Sequence, residues 1–178
     1  YTSALLDTLH GAGMTPELCG FDISKSAVRA AAKRHKGIAF AVASAFSIPA
    51  ADASADLVVN VFAPIVPEEL SRVAKPGSFL LLAIPTPRHL YGMKEILYEK
   101  PYENEYRETT YPGFSLVRRE AVTGEITVNS PEHIEALFSM TPYYWKTPRE
   151  GAERLRRLSS LHTEIGFDFL LYRREDRP

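Results

Sequence analysis

The chain has 178 residues, 45% hydrophobic and 24% charged, with a formal net charge of −1. This suits one globular domain with a sizeable core, and it excludes a strongly basic nucleic-acid wrapper and a chain with a bilayer-spanning apolar run. A single cysteine, Cys19, excludes an internal disulfide or a multi-cysteine zinc site within the chain.

The opening stretch YTSALLDTLHGAG is already helical in pattern. Ala4, Leu5, Thr8 and Leu9 share a face, and Gly11 or Gly13 can end a helix at about 2–10. A helix in first place, with no start methionine before it, reads as part of a longer protein. An apolar run then predicts a buried strand at about 17–22, with Cys19 in the core. Ser24 is a good N-cap for a helix at about 24–35, where Val28, Ala31 and Ala32 form the apolar stripe. Lys33, Arg34 and Lys36 suit its C-terminal dipole before Gly37. Asp22 therefore stands at the carboxyl end of a strand, just ahead of a helix. Open α/β sheets bind ligands there, and an acidic residue at that place commonly holds ribose hydroxyls. The plainer alternative is a turn or capping carboxylate.

The segment IAFAVAS (38–44) reads as a strand, 47–55 as a loop and DLVVNVFA (56–63) as a strand. Pro67 begins a short helix with acids in its first turn, KPG (75–77) stops it, and SFLLLAIP (78–85) is a further buried strand. Apolar strands alternating with helices predict an α/β fold with a parallel sheet covered on both faces. Further on, 87–98 is helical and 101–113 is a polar, aromatic excursion loop. Residues 114–128 alternate like antiparallel strands. Ser130 and Pro131 open a helix to about 140, MTPYYWKTP (140–148) is an aromatic loop, 149–161 is a basic amphipathic helix, and 164–174 is a closing strand.

Three pieces resemble the class I S-adenosylmethionine-dependent methyltransferases in order and spacing. They are Ser44-Ala45-Phe46-Ser47-Ile48-Pro49, Asp56-Leu57-Val58 and the run from Leu70 to Ser78 containing Lys75-Pro76-Gly77. The resemblance implies a Rossmann-like sheet with helices on both faces and S-adenosyl-L-methionine as cofactor. Asp22 would hold its ribose, with Ile23, Ser44, Ala45, Phe46 and Asn60 completing the cofactor site. Ser44 stands where many relatives have Asp toward the adenine amino group. The family's first strand and glycine loop do not occur in the chain, so Tyr1 would begin just downstream of them. The chain by itself is therefore expected not to transfer methyl groups, and a homodimer is one arrangement that would complete its sheet.

Further stretches resemble a narrower group, the large-subunit ribosomal RNA guanine-N1 methyltransferases of the RlmA family. They are Ala63-Pro64, Pro85-Thr86-Pro87-Arg88-His89-Leu90 and Met140-Thr141-Pro142-Tyr143-Tyr144-Trp145. The resemblance implies methyl transfer to a guanine in a ribosomal RNA hairpin, in the cytoplasm and away from membranes. The whole chain, 1–178, would be part of a catalytic domain, with a core at 1–98 and substrate-side and closing elements at 99–178.

Guanine N1 is protonated at neutral pH, so its proton must leave or the charge building on O6 must be stabilised. His89 is the candidate proton acceptor, and Arg88 the candidate holder of O6 or a phosphate. The alternative is that both merely start a helix. Asn60 ends a strand where the fold meets the methyl group, or else faces the core. Pro64 follows in the same loop, on the substrate side. Tyr143, Tyr144 and Trp145 either stack splayed bases or anchor their loop; for Trp145 burial is the ordinary expectation. Arg154, Arg156 and Arg157 read first as a solvated face. Rival functions are methylation of a small molecule, RNA or protein binding without turnover, and a dehydrogenase using Asp22 toward NAD.

Overall fold

The computed structural model describes residues 1–105 and 110–176; residues 106–109 of the expected excursion loop lie outside the described residues. The elements run α1 (Thr2–Gly11), β1 (Cys19–Asp22), α2 (Lys25–Arg34), β2 (Ala39–Val42), β3 (Ala55–Val61), α3 (Pro67–Val73) and β4 (Ala74–Pro85). They continue with α4 (Tyr91–Leu97), β5 (Phe114–Val128), α5 (Pro131–Ser139), α6 (Tyr143–Lys146), α7 (Arg149–Arg156) and β6 (Leu161–Arg174).

The strands form two sheets. β1 and β2 pair in parallel, and a second sheet has the order β3-β4-β6-β5. β3 and β4 are parallel, while β6 runs antiparallel to both β4 and β5. The expected parallel sheet is thus a mixed one, because an apolar run does not encode strand direction. Among the described residues no ladder joins β1 to β3, so each is paired on one edge only. With β1 so open, Cys19 is exposed rather than in the core.

Three boundaries differ from expectation for backbone reasons. β4 begins at Ala74, which pairs with Ala55, and the Lys75–Gly77 stretch is carried inside the strand with Gly77 at φ +72°. Residues 114–128 make one strand, not two: β5 follows β6 from Phe114 opposite Arg174 to Val128 opposite Leu161, with a bulge between Leu116 and Arg118. α4 starts only at Tyr91, because the preceding amides are spent on β6. Thr86 N–H donates to the Gly166 carbonyl at 3.1 Å, Leu90 N–H donates to the Glu164 carbonyl at 2.8 Å, and Leu90 takes φ +57°.

Two cores flank β6. Leu80, Leu82, Leu170 and Tyr172 pack with Leu70 and Val73 of α3 and with Ile48. Leu161 packs with Leu90, Met93, Leu97, Ile134, Phe138 and Leu155 of the α4–α5–α7 side, where Ile165 joins them. Successive side chains of a strand point to opposite faces, so Leu161 and Ile165 face away from Leu170 and Tyr172. α3 and the α4–α5–α7 group therefore cover opposite faces, each buried leucine stabilising by about 1.5–3 kcal/mol.

A clasp from α3 holds the loop after β2. Arg72 donates to the carbonyls of Ala50 at 2.8 Å and Ile48 at 2.9 Å, and pairs with Asp52 and Glu69. Glu69 also accepts the Ile48 N–H at 2.8 Å. The Arg72 hydrogen bond, then the Ile48 amide, hold the Glu69 carboxyl down at about 2 against an ordinary 4.5. A folded-state pKa below the unfolded value gives stability that is complete above about pH 4.5 and is lost as pH falls toward 2. Thermal melts across that window are expected to show a steep acid decline in the wild type and a shallower one in Glu69→Gln. Parallel declines would exclude the clasp as its source.

Candidate active site

The loops at the strand carboxyl ends carry the expected site residues in two groups. At β1 and β2, Ala43 N–H donates to the Asp22 carbonyl at 3.1 Å and brings the two ends together. Asp22 Oδ1 accepts the Ser24 N–H at 2.8 Å, the capping contact, while Oδ2 has no partner among the described residues. Capping and ligand binding are therefore compatible in this carboxylate. Ser44 Oγ accepts the Phe46 N–H at 3.2 Å, and Ser47 N–H closes the turn on the Ser44 carbonyl at 3.0 Å. Ala45 lies inside this turn, half-buried. Ile23 and Phe46 flank the pair, 75% and 68% exposed, an unusual placement for apolar side chains that have nothing to cover.

At β3 and β4 the second group gathers. Asn60 is buried, and its amide engages its own loop: Oδ1 accepts the Ala63 N–H at 3.2 Å and Nδ2 donates to the Pro64 carbonyl at 3.1 Å. One Nδ2 hydrogen and one Oδ1 lone pair remain, so the loop contacts leave room for the expected cofactor contact. The effect of the loop contacts is to fold residues 60–64 so that Phe62 takes φ +54° and is turned outward, 45% exposed. Pro64 supplies the backbone carbonyl of that turn, its side chain exposed. Phe62 lies 5.6 Å from the His89 ring and 5.5 Å from Phe167, and His89 lies 5.2 Å from Phe167. His89 Nδ1 accepts the Gly166 N–H at 3.2 Å. Burial, the largest influence, with the charge of Lys94 in the same sense, holds the imidazole below its ordinary pKa against an opposing influence of the Gly166 backbone.

Arg88 is not a free cation. It hydrogen-bonds Glu164 through Nε at 3.1 Å and through Nη2, reaches Glu103 at 3.3 Å, and lies 4.1 Å over the Tyr91 ring. Burial, the largest influence, pushes the Glu164 carboxyl up, but the Arg88 hydrogen bond, the backbone amides including Gly92 and the Arg88 charge together hold it below its usual range. An incoming phosphate or base oxygen would compete with two carboxylates for this guanidinium.

Behind them lies a cluster that pattern reading missed. The Lys94 side chain is fully buried, with Nζ donating to the Tyr102 carbonyl at 2.9 Å and to Asn104 Oδ1 at 2.8 Å, and it lies 4.4 Å over the Tyr102 ring. Burial lowers its pKa, as expected for an ammonium in a poorly solvated site. Asn104 Nδ2 donates to the Thr86 carbonyl at 2.9 Å, and its backbone N–H to the Pro87 carbonyl at 2.8 Å. Tyr143 OH donates to Asn104 Oδ1 at 3.4 Å, its phenol pushed up to about 12 chiefly by burial. Lys94 and Asn104 thus hold the segment that carries Arg88 and His89. The only sequence hint was a lysine on the apolar side of a helix.

The aromatic loop divides its duties. Tyr143 is the anchor, while Trp145, expected to be buried, is 84% exposed and meets Tyr144 edge-on at 5.0 Å. Met140 beside them is 77% exposed. The basic helix is largely committed: Arg154 caps α4 through the Ile96 and Leu97 carbonyls, and Arg156 pairs with Glu135.

Comparison with known proteins adds relatives to this geometry. Residues 2–82 match the family model described as "Methyltransferase domain". The chain is 31% identical over 147 residues to "23S rRNA (guanine(748)-N(1))-methyltransferase" of Streptomyces fradiae, an alignment covering 79% of this chain and 52% of that protein. It is 24% identical over 156 residues to "Putative 23S rRNA (guanine-N(1)-)-methyltransferase YxjB" of Bacillus subtilis, covering 85% and 55%. The chain thus spans about half the length of these curated relatives. A solved structure from Bacillus halodurans described as a "putative methyltransferase" superimposes with a TM-score of 0.55 at 13% identity, covering 98% of this chain and 89% of that one. At that identity the likeness speaks for the fold alone.

Proposed function

We infer, from a chain that carries a methyltransferase domain of the class I α/β fold and is homologous to proteins named 23S rRNA guanine-N1 methyltransferases, that it forms the adenosine-binding and base-facing parts of an enzyme that methylates guanine N1 in a ribosomal RNA hairpin. The observation that carries the reading is the 31% identity over 79% of the chain to the Streptomyces protein. The geometry agrees with it. Residues 1–98 supply the strand ends that carry the expected site residues, while 99–178 supply the Tyr143–Trp145 loop and, through β6, a share of both cores. The expected setting is the cytoplasm, where ribosomal RNA is modified.

The residues present fit the adenosine half of S-adenosyl-L-methionine. Asp22 offers an uncommitted carboxylate oxygen for ribose hydroxyls, the Ser44 hydroxyl retains its proton for an adenine nitrogen, and Ile23 and Phe46 offer apolar flanks for the ring. When bound, the cofactor supplies an electrophilic methyl group on sulfonium. Alignment and exclusion of water then provide much of the rate. Arg88 and His89 stand on the acceptor side, and Trp145 with Tyr144 offers an open aromatic face on which an unstacked base can rest.

The direct test is mass mapping of modified nucleotides in large-subunit RNA from cells with and without the gene. Loss of one N1-methylguanine is expected; unchanged RNA, or methyl acceptance by a small molecule without RNA, would refute the reading. At the cofactor end, Asp22→Ala in the whole protein is expected to weaken cofactor affinity by about 1.5 kcal/mol, roughly tenfold, for a lost charge-assisted bond. Calorimetry showing an unchanged Kd would leave Asp22 as a cap of Ser24 only.

A further inference from the structure

We propose that His89 acts as a fixed Nε2–H hydrogen-bond donor to the carbonyl O6 of the target guanine, and not as the base that removes its N1 proton. The proposal rests on the guanine-N1 reading above and changes the role that the residue type first suggests.

A neutral imidazole has one N–H and one lone pair. In His89 the lone pair is already used, because the Gly166 N–H points at Nδ1 from 3.2 Å. The proton must then sit on Nε2. Protonating Nδ1 would set two N–H groups against each other, and turning the ring over would present a C–H to the Gly166 amide and leave it unpaired. The donor cannot withdraw either. Gly166 is tied through its carbonyl to the Thr86 N–H at 3.1 Å, and its Cα is so close to Thr86 that an added Cβ would lie 2.1 Å from Oγ1. Phe62 and Phe167 hold the ring at 5.6 Å and 5.2 Å, and the Asn60 turn holds Phe62.

The other ring nitrogen is open. Among the described residues Nε2 has no hydrogen-bond partner, and the one buried side-chain polar atom without a partner is Ser78 Oγ, so Nε2 reaches solvent. It points away from Gly166, outward from β6. Burial and the nearby Lys94 keep the ring neutral, so at pH 7 it is a donor through one nitrogen and has no lone pair to spare. Arg88, one residue earlier, is engaged by Glu164 and Glu103, which leaves His89 as the uncommitted donor of the pair.

The chemistry balances with such a donor. The N1 proton passes to solvent water, the N1–H electron pair delocalises onto O6, and Nε2–H stabilises the charge there. N1 then forms its bond to the methyl carbon as the S–C pair returns to sulfur, leaving a neutral thioether and a neutral base. A donor aimed at such an oxyanion is commonly worth 10²–10³ in rate.

Two measurements decide the matter. Long-range 1H–15N spectra of the chain at pH 7 are expected to show His89 as the Nε2–H tautomer; an Nδ1–H tautomer or an imidazolium would overturn the proposal. In the whole protein, His89→Gln retains an N–H near the Nε2 position, whereas His89→Leu has none. With folding checked by melts, kcat on an RNA hairpin is expected to stay within about tenfold for Gln and to fall by about 10²–10³ for Leu, each with unchanged cofactor Kd. Equal large losses in both variants, with wild-type protein still forming N1-methylguanine, would overturn the donor role while leaving the function standing. Failure of the wild type to methylate guanine N1 would overturn both.

Discussion

Gly151→Ala is expected to destabilise the folded chain by about 3 kcal/mol, although the same change in an exposed helix would stabilise by up to about 1 kcal/mol. The sign is decided by contact. A Cβ at Gly151 would lie 2.1 Å from the Leu97 carbonyl oxygen and 3.0 Å from its carbon, so α7 would have to lift off the end of α4. That shift would also break the Arg154 cap on the Ile96 and Leu97 carbonyls. Urea melts measure the loss. Gly37→Ala, where nothing lies within 4 Å of the added atom, is expected to stay within about 0.5 kcal/mol of wild type. A more stable Gly151→Ala would mean that α7 is not seated on α4.

Asn104→Ala is expected to cost about 2–3 kcal/mol, because it strips the buried Lys94 ammonium of an acceptor and frees the Thr86 carbonyl. Lys94→Met should be milder, since it removes the buried charge together with its need for partners. Both variants loosen the segment from Thr86 to His89, so both should lower methyl transfer in the whole protein more than cofactor affinity, with Asn104→Ala the worse. Melts and cofactor calorimetry on the same samples separate the two effects. Should Lys94→Met prove the less stable of the two, the Lys94 ammonium would be contributing net stability to its cluster with Asn104.

Reach along the chain separates what was legible from what was not. The cap at Ser24, the Pro-started helices at Pro67 and Pro131, the apolar runs of β2 to β4 and the strand-end place of Asp22 each depend on a few adjacent residues, and each agrees with the structure apart from the start of β4. The stretch from Ser44 to Ser78 also pointed to a methyltransferase domain, and residues 2–82 match the family model of that description. Direction and covering were not local. Nothing in the pattern of 164–174 says that β6 inserts antiparallel between β4 and β5, or that Cys19 lies open on a strand with one neighbour.

The site divides in the same way. Sequence by itself determined which residue types stand at or just past the strand ends: Asp22, Ser44, Asn60, Arg88 and His89. Only the tertiary structure decided what each has left to offer. Asn60 commits part of its amide to Ala63 and Pro64, Arg88 is held by carboxylates 15 and 76 residues away, and His89 gives its lone pair to Gly166, 77 residues on. A polar side chain can bind or react only through the donors and acceptors its neighbours leave unused, and those neighbours arrive through folding, from parts of the chain that no local pattern connects.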